Sequence, residues 1–88
     1  SLDELDDINI NIYPNPMNDH ITIEVVGNQP LIKYNLKLID YRGRTVRDIN
    51  FQNQVKINRD DLATGIYMLQ ISNNDQFFKR KVMIADQF

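Results

Sequence analysis

The chain has 88 residues, with no cysteine, no tryptophan, one histidine, three glycines and three prolines. Each shortage removes a class of explanation. Without cysteine, no disulfide staples a small core and no thiolate binds a metal or attacks a substrate. That absence suits a reducing compartment and an exported protein that avoids disulfides equally well. With His20 as the sole histidine, a histidine cluster for zinc is excluded and a nucleophile–base pair has one candidate base. No glycine-rich loop precedes a helix, so nothing cradles a phosphate. Charge of one sign is also lacking. Ten basic and twelve acidic residues give a net −2 and are mixed along most of the chain, which argues against a nucleic-acid footprint. No apolar run approaches the ~20 residues of a membrane-spanning helix, and no signal-peptide pattern opens the chain. Neither an enzyme nor a cofactor or metal site is expected.

What is present is a period of two. Ile8, Ile10 and Ile12 alternate with Asn9 and Asn11, and Ile21, Ile23 and Val25 alternate with Thr22 and Glu24. That is the pattern of strands with one buried and one wet face. Further runs at Tyr34–Asp40, Thr45–Phe51, Gln54–Asn58, Ile66–Ser72 and Gln76–Ile84 bring the total to seven. Seven short strands with breakers between them predict an all-β protein, a seven-stranded antiparallel Ig-like or Greek-key β-sandwich. It forms one domain over residues 8–88. The acidic, aperiodic Ser1-Leu2-Asp3-Glu4-Leu5-Asp6-Asp7 reads as a linker or the remnant of a cargo protein.

The breakers are specific. Tyr13-Pro14-Asn15-Pro16 cannot continue a ladder, because its prolines lack donors and hold the preceding residues extended. It should cross an edge or corner between the first two strands. Gly27-Asn28-Gln29-Pro30 is a loop. Asp40-Tyr41-Arg42-Gly43 is a hairpin turn, with Asp40 accepting from amides ahead of it and Gly43 left-handed. Asn73-Asn74-Asp75 joins the last two strands, Asn and Asp being tolerant of left-handed geometry. In Thr45–Phe51 the alternation fails at Asp48, which would share a face with Val46, so an edge or bulged strand is expected.

Leu62-Ala63-Thr64-Gly65-Ile66-Tyr67 has the spacing of a tyrosine corner. Its tyrosine hydroxyl bonds backbone just upstream and pins a crossover between sheets; Leu62 fills the gap beneath the loop and Gly65 supplies room or a positive φ. Asp60 and Asp61 precede it and read as turn caps, since calcium wants six to eight oxygens in a shaped loop. His20 reads as an exposed strand histidine. Lys79-Arg80-Lys81 interrupts the last apolar strand and has two readings. Charges on an edge strand discourage pairing with other chains. Equally, a cationic edge flanked by Phe77, Phe78 and Met83 can be joined by a partner strand.

Taken together, these segments resemble the C-terminal sorting domain (type A) of the type IX (Por) secretion system. Tyr13-Pro14-Asn15-Pro16 with Asp19 and Ile21 is similar to its opening signature. Leu38-Ile39-Asp40 with Gly43 and Val46 is similar to its middle strand, turn and strand. Leu62, Gly65, Ile66 and Tyr67 are similar to its leucine–glycine–tyrosine motif, and Lys81-Val82 to its lysine-led last strand. The resemblance implies a non-catalytic secretion signal read by the outer-membrane translocon, after which a sortase removes the domain and attaches the cargo to the cell surface. It implies translocon and sortase proteins as partners, an N-terminal cargo, and passage through the periplasm and outer membrane of a Gram-negative bacterium. Cleavage is expected near or before residues 1–7, and recognition on the terminal hairpin Tyr67–Ile84, with Phe77, Phe78, Lys79, Arg80, Lys81 and Val82 as candidate contacts. Family members usually stop just after the last strand, whereas here Ala85-Asp86-Gln87-Phe88 extends past it. The competing reading is an accessory Ig-like module of a secreted enzyme or adhesin that binds glycan or packs on a neighbouring domain, although Tyr41 and Phe51 are scattered in sequence. A spacer in a surface adhesin is a third. A homodimer through an edge strand is a further possibility.

Overall fold

Alternating side chains need two faces of different polarity, and two sheets facing each other supply them. The computed structural model describes residues 8–27, 32–74 and 76–86. Its strands are β1 (Ile8–Tyr13), β2 (His20–Gly27), β3 (Tyr34–Ile39), β4 (Thr45–Phe51), β5 (Gln54–Asn58), β6 (Gly65–Ser72) and β7 (Phe77–Ile84). They form a three-stranded sheet ordered β1-β2-β5 and a four-stranded sheet ordered β4-β3-β6-β7. Every pairing between strands is antiparallel. The all-β sandwich expected from the sequence is the fold observed. The chain crosses between sheets after β2, β4 and β5, the interleaving of an immunoglobulin-like body.

The registers place apolar side chains opposite one another on the inner faces. Ile21 faces Ile57, and Ile23 lies between Ile12 and Val55. Across the sandwich, Leu36 lies between Ile49 and Ile71, while Leu38 neighbours Leu69 and Tyr67 faces Val82. Ile21, Ile23, Leu36, Leu69 and Met17 are fully buried, each contributing about 1.5–3 kcal/mol by leaving water.

Two irregularities answer questions the sequence raises. The β3–β4 register shifts between Leu38, opposite Arg47, and Ile39, opposite Thr45, leaving Val46 as an extra residue. This bulge lets Val46 pack on the core while exposed Asp48 accepts from Asn35 Nδ2 at 2.8 Å. The conflict at Asp48 is thus resolved on an edge strand that also carries a bulge, where the sequence pointed to one or the other. The second irregularity is the β1–β2 connection. Those strands pair in one sheet, yet residues 14–19 between them leave it and reach the other. Met17 forms an isolated parallel bridge with Ile84 on β7, its amide donating to Met83 O at 2.7 Å and its carbonyl accepting from Ala85 N at 2.8 Å. The segment is a strap across the open side of the sandwich, with Met17 buried beneath it. Both peptide bonds into Pro14 and Pro16 are cis.

The expected linker 1–7, the loop residues Asn28 to Pro30, Asp75, and the last two residues Gln87 and Phe88 lie outside the described residues.

Candidate functional site

The motif residues converge at one end of the sandwich, and an arginine that no motif contains joins them. Tyr67, at the start of β6, donates its hydroxyl to Ala63 O at 2.7 Å, closing the tyrosine corner. Leu62 packs on the core, and Gly65 holds φ at +148°. Arg59, just after β5, donates Nε to Leu62 O at 2.8 Å, and Nη1 to Asn18 O at 3.3 Å and to Asp86 at 2.7 Å. Its own amide donates to Asp19 O at 2.9 Å. One guanidinium therefore ties the strap, the corner and the segment after β7. Arg47 adds a second clasp, donating to Arg59 O at 3.0 Å. Sequence reasoning missed both arginines. The only signal available was chemical: a planar fork of five donors suits a place where loop carbonyls crowd together.

Of the Ala85–Phe88 extension, Ala85 joins the strap and Asp86 pairs with Arg59, so its first half belongs to the folded body.

Of the other candidates, Asp40 and Asn73 take part in turn hydrogen bonds. Asp40 Oδ1 accepts from the amides of Arg42 and Arg44, both at 2.9 Å, and Oδ2 from Arg44 Nε at 3.0 Å. The Arg44 amide, more than any other cause, holds the Asp40 carboxyl below its ordinary pKa. Gly43 takes φ +86° there, as expected. Asp60 takes φ +54° and its carboxylate lies 3.5 Å from Arg47. Asn73 closes the β6–β7 hairpin by accepting the Gln76 amide on its side chain at 2.8 Å. His20 Nδ1 lies 2.8 Å from Asp19 Oδ1, and this bond is the main cause lowering the Asp19 pKa. Among the described residues no further side chain bonds either partner, and none of their His, Asp and Glu groups is arranged to hold a metal. Phe51 is buried and stacks against Tyr34 at 5.7 Å, whereas Tyr41 stands exposed in the β3–β4 turn. They share no surface.

The candidate recognition residues lie on β7, an edge strand of the four-stranded sheet. Val82 is buried and Phe78 packs on the core, so these side chains face inward. Phe77, Lys79, Arg80 and Lys81 are exposed. Lys79 Nζ sits 5.8 Å from the Phe77 ring and the Arg80 guanidinium 5.0 Å from the Phe78 ring. Among the described residues none of these cations has an ion pair. On the same outer face Phe77, Met83 and Ile66 are exposed large apolar side chains. The structure thus gathers an apolar and cationic surface along one sheet edge.

The chain is thus an antiparallel two-sheet sandwich with an edge strand on β7 and turns closed by side-chain hydrogen bonds. The family described as the secretion system C-terminal sorting domain matches residues 11–85, and the chain belongs to that family. No curated protein matches it. The match covers the strap, the Asp40 turn, the tyrosine corner and β7, so the resemblance noted in the motifs holds for the fold as a whole. The domain is accordingly a sorting signal of type IX secretion, its cargo is a secreted or cell-surface protein, and its interactions are with that machinery. No helix among the described residues is long and apolar enough to cross a membrane.

Proposed function

We propose that the folded domain of residues 8–88 is a non-catalytic address, read by the type IX outer-membrane translocon through the hairpin β6–β7. Phe77, Lys79, Arg80 and Lys81 supply exposed contacts, while Phe78 and Val82 anchor the strand from beneath. The cargo precedes residue 8, and the sortase acts in or before residues 1–7, releasing the domain as the cargo is attached at the cell surface. Support for this reading comes from one observation above the rest: β7 carries three adjacent cations on an exposed sheet edge, without carboxylate partners among the described residues. Charges that face water without partners contribute little to stability, so their concentration here favours a role in recognition.

The test fuses residues 8–88 to a folded reporter carrying its own export signal, in a host possessing the system. The expected outcome is reporter at the cell surface or in the medium. Reporter retained in the periplasm, with the fused domain folded, rejects the proposal. Sortase action is read separately, by mass spectrometry of the released domain's N-terminus.

A further inference from the structure

The backbone of β7 has two ends with different fates. Antiparallel pairing turns alternate residues toward the neighbouring strand and away from it. At the C-terminal end the outward groups are occupied: Met83 N donates to Asn15 Oδ1 at 3.2 Å, Met83 O accepts from Met17 N at 2.7 Å, and Ala85 N donates to Met17 O at 2.8 Å. Met83 and Ala85 therefore face outward, and by alternation so do the amides and carbonyls of Phe77, Lys79 and Lys81. Among the described residues no backbone bond occupies those groups. The strap caps one end of the edge and leaves about 13 Å of it open, at ~3.3 Å per residue.

The side chains of this stretch narrow the choice of what can pair there. On the outer face Lys79 lies opposite Gln70 and Lys81 opposite Met68 on β6, so neither finds a carboxylate across the strand. The other three edges differ. β4 is bulged and its Asp48 is engaged by Asn35, β5 has five residues, and β1 has no Lys, Arg, Asp or Glu. A second copy of the chain is a poor occupant of β7, because pairing β7 with itself sets like charges against each other.

We propose that the open edge of β7, from Phe77 to Lys81, captures an extended acidic segment of a partner protein as an added strand. The segment's main chain bonds the outward groups of Phe77, Lys79 and Lys81, and its carboxylates stand beside Lys79 and Lys81 on the outer face. The backbone supplies affinity and the charges supply selectivity and attraction over distance. The inference deepens the sorting reading and rests on it for assigning the partner to the secretion machinery.

The probe is a synthetic peptide, Thr-Glu-Val-Glu-Val-Glu-Thr, titrated into the isotope-labelled 88-residue chain and followed by amide NMR and hydrogen exchange. Expected are saturable shifts and slowed exchange at the Phe77, Lys79 and Lys81 amides, no added protection at Met83, and loss of about tenfold in affinity on raising the salt. The same peptide with lysine in place of glutamate should not bind. Lys79→Gln removes one charge and keeps the amide; Lys79→Pro also removes the outward amide at a position where an edge strand tolerates proline. Lys79→Pro must therefore weaken binding clearly more than Lys79→Gln, with unchanged Tyr67 and Met17 signals showing an intact fold. Equal effects, protection elsewhere, or equal binding of the lysine peptide would overturn the added strand. Export of the reporter fusion is scored for Lys79→Glu/Lys81→Glu. Peptide binding and export lost together support the proposal. Export intact after binding is lost overturns it and leaves the sorting reading standing. Failure of the unaltered fusion to export overturns the sorting reading and, with it, the assignment of the partner.

Discussion

Single side chains hold this fold through hydrogen bonds to loop carbonyls, so the residue is the scale at which small substitutions have readable costs. Tyr67 is 7% exposed, and its hydroxyl donates to Ala63 O at 2.7 Å. Tyr67→Phe keeps the ring and removes the donor, so thermal denaturation should show a loss of about 0.5–1.5 kcal/mol; an unchanged melting temperature would remove the corner bond from this account. Gly65 has φ +148°, and a Cβ built there meets nothing within 4 Å. Gly65→Ala is therefore a test of backbone strain free of crowding, expected to cost roughly 1–3 kcal/mol. Arg59→Ala should exceed both, because Leu62 O and Asn18 O each lose a donor and Asp86 loses its ion pair. Asp86→Ala, removing a partner more than half exposed, should cost under about 1 kcal/mol. The ratio of these two losses, measured by urea denaturation, shows whether Arg59 acts mainly on the loops or on the segment after β7.

At the scale of elements, the strap and β7 behave as one unit. Met17 is fully buried and its main chain bridges to Met83 and Ala85. Met17→Ala keeps the bridge and empties the space beneath it, at a cost of about 2–5 kcal/mol. Hydrogen exchange should show the loss in its distribution: the Met17 and Ala85 amides lose protection before those of the central strand β3. Loss spread evenly over both sheets would mean that the strap does not open as a unit.

The same elements show what a sequence can and cannot disclose. All seven strands were legible, because period-two alternation is a local consequence of one face meeting the core. So were the Asp40 turn and the tyrosine corner, whose bonds span four residues. Asp48 betrayed the edge position of β4, though not that Val46 is the extra residue, which depends on the partner strand's register. The parallel bridge from Met17 to Ile84 was not legible at all. It joins residues far apart in the chain, and a buried methionine in a proline-rich loop has no period to mark it. Arg59 was hidden likewise, since its acceptors are carbonyls, which every residue possesses. The open stretch of β7 was readable as cationic, but only the strap's contacts show where that openness ends.

For the whole molecule, the balance of charge sets its response to acid. Asp40 and Asp19 are both held below the ordinary aspartate value of 3.8, Asp40 chiefly by the Arg44 amide and Asp19 chiefly by His20. A carboxyl with a lower pKa folded than unfolded stabilises the fold while both states are ionised. That contribution is complete above 3.8 and falls away as the pH drops through the folded-state value, because the unfolded chain takes up protons first. The two anchors act at different places, Asp40 on the β3–β4 turn and Asp19 at the end of the strap. Acidification should therefore lower the denaturation midpoint without abolishing the sandwich, whose core is apolar. Comparison with Asp40→Asn isolates the turn. The variant should be the less stable protein near neutral pH, and the gap should close as the pH falls below 3.8, since wild type then loses the charge the variant never had. A gap that persists at the lowest pH would assign the loss to altered turn geometry instead of to the carboxylate. The peptide that probes the β7 edge carries glutamates of its own, which take up protons in the same acid range. Capture of the glutamate peptide should then fail at low pH through protonation of the peptide, while the wild-type chain remains folded.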